Sequence, residues 1–153
     1  MLHDDSNGPA DPRAAWMRLL ALSDWPELDR VAGEFSSEPH ILLRAPETGM
    51  VMLRGRMGTT GAAFNLGEAT VTRCAVKLTD GVEGHSYVMG RNSKHARTAA
   101  ICDALLQRPD SYEAMLTKVL APLEQKLMER QMTAAAKAAA TKVDFFTMVR
   151  GDV

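Results

Sequence analysis

The sequence predicts an α+β fold: an antiparallel β-sheet with helices before and after it, a long C-terminal helix and an apolar C-terminal tail. Three observations carry this. Thr70 to Thr79 alternates, with Cys74, Val76 and Leu78 on one side and Arg73, Ala75 and Lys77 on the other, which is the period of a half-buried strand. Asp80-Gly81 follows as a two-residue hairpin turn, because both positions tolerate positive φ, and Val82 to Met89 returns. From Ser93 the apolar spacing becomes helical, with Thr98, Ile101, Cys102, Leu105 and Leu106 on one face. Helices, sheet, then helices, with no internal repeat, is an α+β order.

The elements follow in turn. Met1 to Pro12 is polar and bears Pro and Gly, so residues 1–12 are expected to form a disordered leader to a single domain over 13–153. Ala14 to Leu22 carries Trp16, Leu19 and Leu20 at helical spacing. Asp24 with Pro26 reads as a cap and first-turn proline of a short helix through Leu28 and Val31, which Gly33 to Pro39 breaks. His40 to Ala45 and Met50 to Met57 are apolar-rich runs joined by Pro46-Glu47-Thr48-Gly49, a predicted β-hairpin. Gly58-Thr59-Thr60-Gly61 turns the chain into Phe64 and Leu66.

Beyond the sheet, Pro109 ends the first helix and Ser111 to Leu120 forms another. Pro122 is expected to open a long helix, with Leu123 and Leu127 continuing the stripe of Leu116 and Leu120. Its alanine-rich half, Ala134 to Ala140, has high helix propensity and almost no bulk. It suits either a solvated helix or close approach to another backbone.

Composition excludes several classes. Hydrophobic content of 46% and charged content of 24% over 153 residues describe one globular domain with a sizeable core. A net charge of -1 gives no global field for nucleic acid or an anionic membrane. No apolar run approaches the about 20 residues needed to span a bilayer, so no membrane insertion is expected. Cys74 and Cys102 make no disulfide framework, and with no signal peptide they point to the reducing cytoplasm. His3, His40, His85 and His95 lack metal-ligand spacing.

No nucleophile elbow, phosphate loop or carboxylate pair is placed by spacing. Gly55, Gly58 and Gly61 lack the strand-to-helix context of a dinucleotide loop and read as a turn. His85 reads as a satisfied structural histidine in a strand. The helix starting near Ser93 breaks a local rule, because Arg91, Lys94, His95 and Arg97 crowd an end that favours acids by about 0.3–1 kcal/mol each. An anion held by free N–H groups and basic side chains would resolve the conflict, and so would ion pairs with Glu68, Glu83 or a partner's acids. Arg44, Arg54, Arg56, Arg73 and Lys77 add basic character on the strands.

The tail from Val143 to Asp152 holds Phe145 and Phe146, two of four phenylalanines, with Val143, Met148 and Val149. Each buried Phe is worth about 1.5–3 kcal/mol, so such a segment docks, on the chain's own core or on a partner.

Several of these blocks, in order, resemble the PhnG family, a subunit of the bacterial carbon–phosphorus lyase system for phosphonate use. They are Arg44 to Gly49, Arg56-Met57-Gly58, Gly67 to Arg73, Leu78 to Gly81, Gly90-Arg91 with His95-Ala96, Asp103-Ala104-Leu105, and the tail. Thr59 and Asn92 depart from the Gly and Asp common there. The resemblance implies a non-catalytic or accessory subunit that holds no cofactor of its own. It would act with other core subunits, chiefly a nucleosidase-like one, in a complex that moves ribose 5-triphosphate from its substrate ATP onto an alkylphosphonate. No catalytic residue is carried over. Arg56, Arg73, Arg91, Lys94 and His95 become anion or partner contacts under it, and Phe145, Phe146, Met148 and Arg150 a docking segment for the partner.

Overall fold

β-branched and apolar residues in the middle of the chain build three antiparallel strands in the order β1-β2-β3: β1 (His40–Arg56), β2 (Ala63–Leu78) and β3 (Glu83–Met89). The computed structural model describes residues 11–58 and 60–141. The turn after β2 is the expected one: Gly81, at φ 93°, donates its N–H to the Leu78 carbonyl, and Leu78 donates to that of Val82.

The expected hairpin over residues 40–57 does not form. β1 runs straight through Pro46 to Gly49 and pairs with β2 along its length, and the turn that joins the two lies after Arg56. The turn signal at Pro46 is absorbed as irregular register between Leu42 and Arg44 and again between Arg44 and Glu47. Each place holds one extra residue, the geometry of a β-bulge. Proline is tolerated because β1 lies at the sheet edge, where a missing N–H costs no ladder bond.

Ahead of the sheet, α1 (Pro12–Leu22) begins at Pro12, with the Asp11 carboxylate accepting from the Arg13 N–H at 2.9 Å. Asp11 and Pro12, expected in the leader, therefore belong to this helix; residues 1–10 lie outside the described residues. In α2 (Trp25–Ala32), Asp24 holds the cap position without a capping bond, its carboxylate instead 3.1 Å from Arg130. A 3₁₀ turn, Gly33–Ser37, leads into the sheet.

After the sheet come α3 (Ser93–Leu106) and then one continuous helical path: α4 (Pro109–Met115), a π turn (Leu116–Leu120) and α5 (Ala121–Ala140). Pro122 was expected to open a separate helix. The wide turn before it accommodates the proline instead, with Ala121 donating to the Leu116 carbonyl five residues back.

The core forms on one face of the sheet. Along β3, Gly84, Ser86 and Val88 are buried while Glu83, His85, Tyr87 and Met89 are exposed. His85, expected to be a satisfied structural histidine, is thus exposed on the open face, and only its backbone N–H is held, by Asp103. α3 lies against the covered face through Ala96, Ala99, Ala100 and Ala104, all buried. The approach is close enough that a Cβ at Gly84 would fall 2.0 Å from the Ala100 carbonyl oxygen. Leu20, Leu28, Val76, Val88, Ile101, Leu106, Met115 and Leu123 complete one core with the surrounding helices. Residues 128–140 of α5 are exposed throughout, so the alanine-rich half is largely bare, with Ala134 and Lys137 lining only an open hollow beside Trp25.

Candidate functional site

The basic start of α3 is built by Gly90 and Asn92. Gly90, at φ 89°, donates its N–H to the Thr70 carbonyl and accepts from Thr72 Oγ1 at 2.7 Å, which turns the chain out of β3. Asn92 then caps the helix, its Oδ1 accepting from the His95 N–H at 3.0 Å. An Asn serves this role as well as an Asp would. One of the donors expected to face an anion is therefore occupied.

The five basic residues singled out in the sequence do not converge. His95 is buried, its Nε2 donating to the Leu20 carbonyl at 2.8 Å and its ring tilted 34° against Trp25. It ties α3 to the end of α1 and is closed to an anion, contrary to the expectation. Arg73 lies on the open face, where it shares Glu47 Oε2 with Arg44 at 3.2 and 3.0 Å. Arg56 sits opposite Ala63 at the far end of β1. Arg91 and Lys94 are exposed at the helix start, and neither makes an ion pair among the described residues. The ion pairs expected with Glu68 and Glu83 do not form there; Glu83 pairs with Lys77 at 3.3 Å. Arg97 finds His40, whose Nδ1 donates to the Glu38 carbonyl and leaves Nε2 to accept from the guanidinium at 3.1 Å. Phe145, Phe146, Met148 and Arg150 lie outside the described residues.

A different polar centre organises the fold. Asp103, fully buried on α3, receives Arg13 through both oxygens at 3.2 and 2.8 Å, Trp16 Nε1 at 2.9 Å and the His85 backbone N–H at 2.8 Å. Three elements meet on one carboxylate, and its hydrogen bond holds the Arg13 guanidinium still more firmly in its charged form. Its signal in the sequence was an acid in the middle of an apolar helix face, which is rare unless paired. The cysteines are inert: burial pushes the Cys102 thiol up to about 12 and raises that of Cys74. Among the described residues there is no group of acids, histidines and cysteines fit to hold a metal, and no helix long and apolar enough to cross a membrane.

The largest unassigned feature is apolar. β3 stops at Met89, opposite Val71, so β1 and β2 continue outward as a two-stranded ribbon. Along it Met50, Met52, Leu53, Met57, Phe64 and Leu66 are exposed. A lone two-stranded hairpin is marginal in water. The expected hairpin had masked this arm, because two short paired strands would have kept these residues near the core. A shallow groove between α1 and the α4–α5 path, lined by Trp16, Leu19, Tyr112, Leu116 and Met128, is also largely apolar.

A small helix-backed sheet with an open face and a bare apolar ribbon defines a chain of the kind that completes a larger assembly. A family model described as "Phosphonate metabolism protein PhnG" matches residues 11–151, and the chain belongs to that family. It is 43% identical over 152 residues, 97% of this chain and 94% of the relative, to the alpha-D-ribose 1-methylphosphonate 5-triphosphate synthase subunit PhnG of Rhizobium meliloti (strain 1021).

Proposed function

We propose that this chain is an accessory, non-catalytic subunit of the carbon–phosphorus lyase core complex in the cytoplasm. There it acts with a nucleosidase-like partner in transferring ribose 5-triphosphate from ATP to an alkylphosphonate. The observation that carries the reading is near-complete coverage of a synthase subunit at 43% identity. The exposed apolar ribbon supports it, since such a surface needs cover. The chain's part is to position and stabilise the subunits that hold the reacting groups, and it carries no cofactor. Co-expression with the nucleosidase-like subunit tests this: a stable heteromer on size exclusion is expected, with poor solubility of the chain alone. A well-behaved monomer that ignores that subunit would overturn it.

A second reading rests on Arg91 and Lys94, exposed cations at a helix start. In it they hold a triphosphate or phosphonate at the edge of a neighbour's active site. Arg91→Ala would then raise the KM for ATP roughly tenfold, the worth of one charge-assisted hydrogen bond, with the complex intact. Unchanged turnover, or failed assembly, removes this reading.

A further inference from the structure

Resting on the subunit reading, we propose that the outer half of β1, Thr48 to Arg56, accepts an extended strand from another subunit of the complex. On one face that strand presents two apolar residues and then two acids at alternate positions.

The edge itself points to this. One side of β1 is bonded to β2, and the strand order leaves its other side unpaired among the described residues. Such edges template unwanted pairing, and proteins blunt them with proline, bulges and charge. Here Pro46 and two bulges on β1 blunt the first half, while a third shift, between Leu53 and Arg54, puts its extra residue, Leu66, on β2 and not on the open edge. From Glu47 to Leu53 the register is unbroken and holds no proline, so the half without cover is also the half left open to pairing.

The area agrees. Met50 is 68% exposed, Met57 79% and Leu66 65%, with Met52, Leu53 and Phe64 beside them. Together they put six large apolar side chains in the open on one two-stranded ribbon. That exceeds what single exposed residues on a monomer need explaining.

Charge selects the occupant. Thr48 hydrogen-bonds to Thr72 on the helix side of the sheet at 3.0 Å, so by strand alternation Met50, Met52, Arg54 and Arg56 follow on that face. Arg54 and Arg56 are exposed and in no ion pair among the described residues. Glu47, the only acid in β1, is held by Arg44 and Arg73 and lies on the opposite face. A second copy pairing β1 with β1 would therefore bring no acid to these guanidiniums. An apolar strand with acids at its end satisfies both the methionines and the arginines, with main-chain bonds giving affinity and alternate side chains specificity.

Hydrogen exchange on the full-length chain, alone and co-purified with the other synthase subunits, tests the proposal. The amides of residues 48–56 should exchange freely alone and slow on the order of 100-fold in the complex. The double variant Arg54→Glu with Arg56→Glu, at exposed positions, should fold normally and weaken assembly roughly tenfold or more. A complex in which residues 48–56 stay unprotected overturns the proposal and leaves the subunit reading standing. No complex at all overturns both. Protection in the isolated chain that grows with concentration assigns the edge to a second copy. Protection there that disappears on truncation after Thr141 assigns it to the chain's own tail. Either result overturns the proposal.

Discussion

At the scale of single residues, the molecule turns on Asp103, where α1, β3 and α3 share one carboxylate. Asp103→Ala strands the Trp16 and His85 N–H donors, each worth about 1–3 kcal/mol when left unpaired. Arg13 is partly exposed and can rehydrate, so it adds little. A loss of about 3 kcal/mol is expected in urea unfolding, with a smaller loss for Asp103→Asn. Cys102 gives a pH signature. Burial raises its thiol from 9.0 to about 12, so the native chain keeps a proton that the unfolded chain releases above pH 9. Its contribution is complete below about pH 9 and is lost as pH rises toward 12. Cys102→Ala should flatten that part of the stability profile relative to the parent chain, as measured by denaturant midpoints from pH 8 to 11. An unchanged slope would show that another group titrates there. At this scale the sequence was a poor guide to roles. His95 stood out as a cation at a helix start, yet burial against Trp25 makes it a structural tie, and only its distance from Leu20 in space reveals that.

At the scale of elements, close approach decides the packing of α3. Gly84→Ala would set a Cβ against backbone atoms of Ala100 and Ala104, so the helix must lift from the sheet. A loss of about 3 kcal/mol, at the upper end of overpacking, is expected in thermal or urea unfolding. The inner half of β2 from Thr70, β3, the Asp80-Gly81 turn and α3 were legible in the sequence because alternation, turn chemistry and helical spacing agree there, whereas the stretch of β2 from Ala63 to Ala69 was not read as strand. β1 was not legible as one strand. Pro46 and Gly49 are true turn residues, and the ladder with β2 overrides them: the extra length around Pro46 goes into bulges, while Gly49 stays in register opposite Val71. The same kind of override joins α4 to α5, where a π turn absorbs Pro122. The tail from Val143 lies outside the described residues. Its predicted role is docking, so truncation after Thr141 should reduce partner binding more than it lowers Tm. Equal losses would return the tail to the protein's own core.

At the scale of the whole molecule, one face of the sheet is closed by helices and the other is bare, and a ribbon of exposed methionines and leucines runs beyond both. The sequence predicted a chain that assembles, and assigned the surface to the tail and the start of α3. The ribbon escaped notice because its exposure comes from where β3 ends, and no local pattern in β1 or β2 records that. Under the proposed function, this chain completes the synthase without performing its chemistry. Omission from a reconstituted complex tests it most directly, with phosphorus NMR following transfer from ATP to methylphosphonate. Product is expected only when this chain is present with its partner subunits, and none from the chain alone. Equal rates with and without it, or turnover by the isolated chain, would overturn the subunit reading.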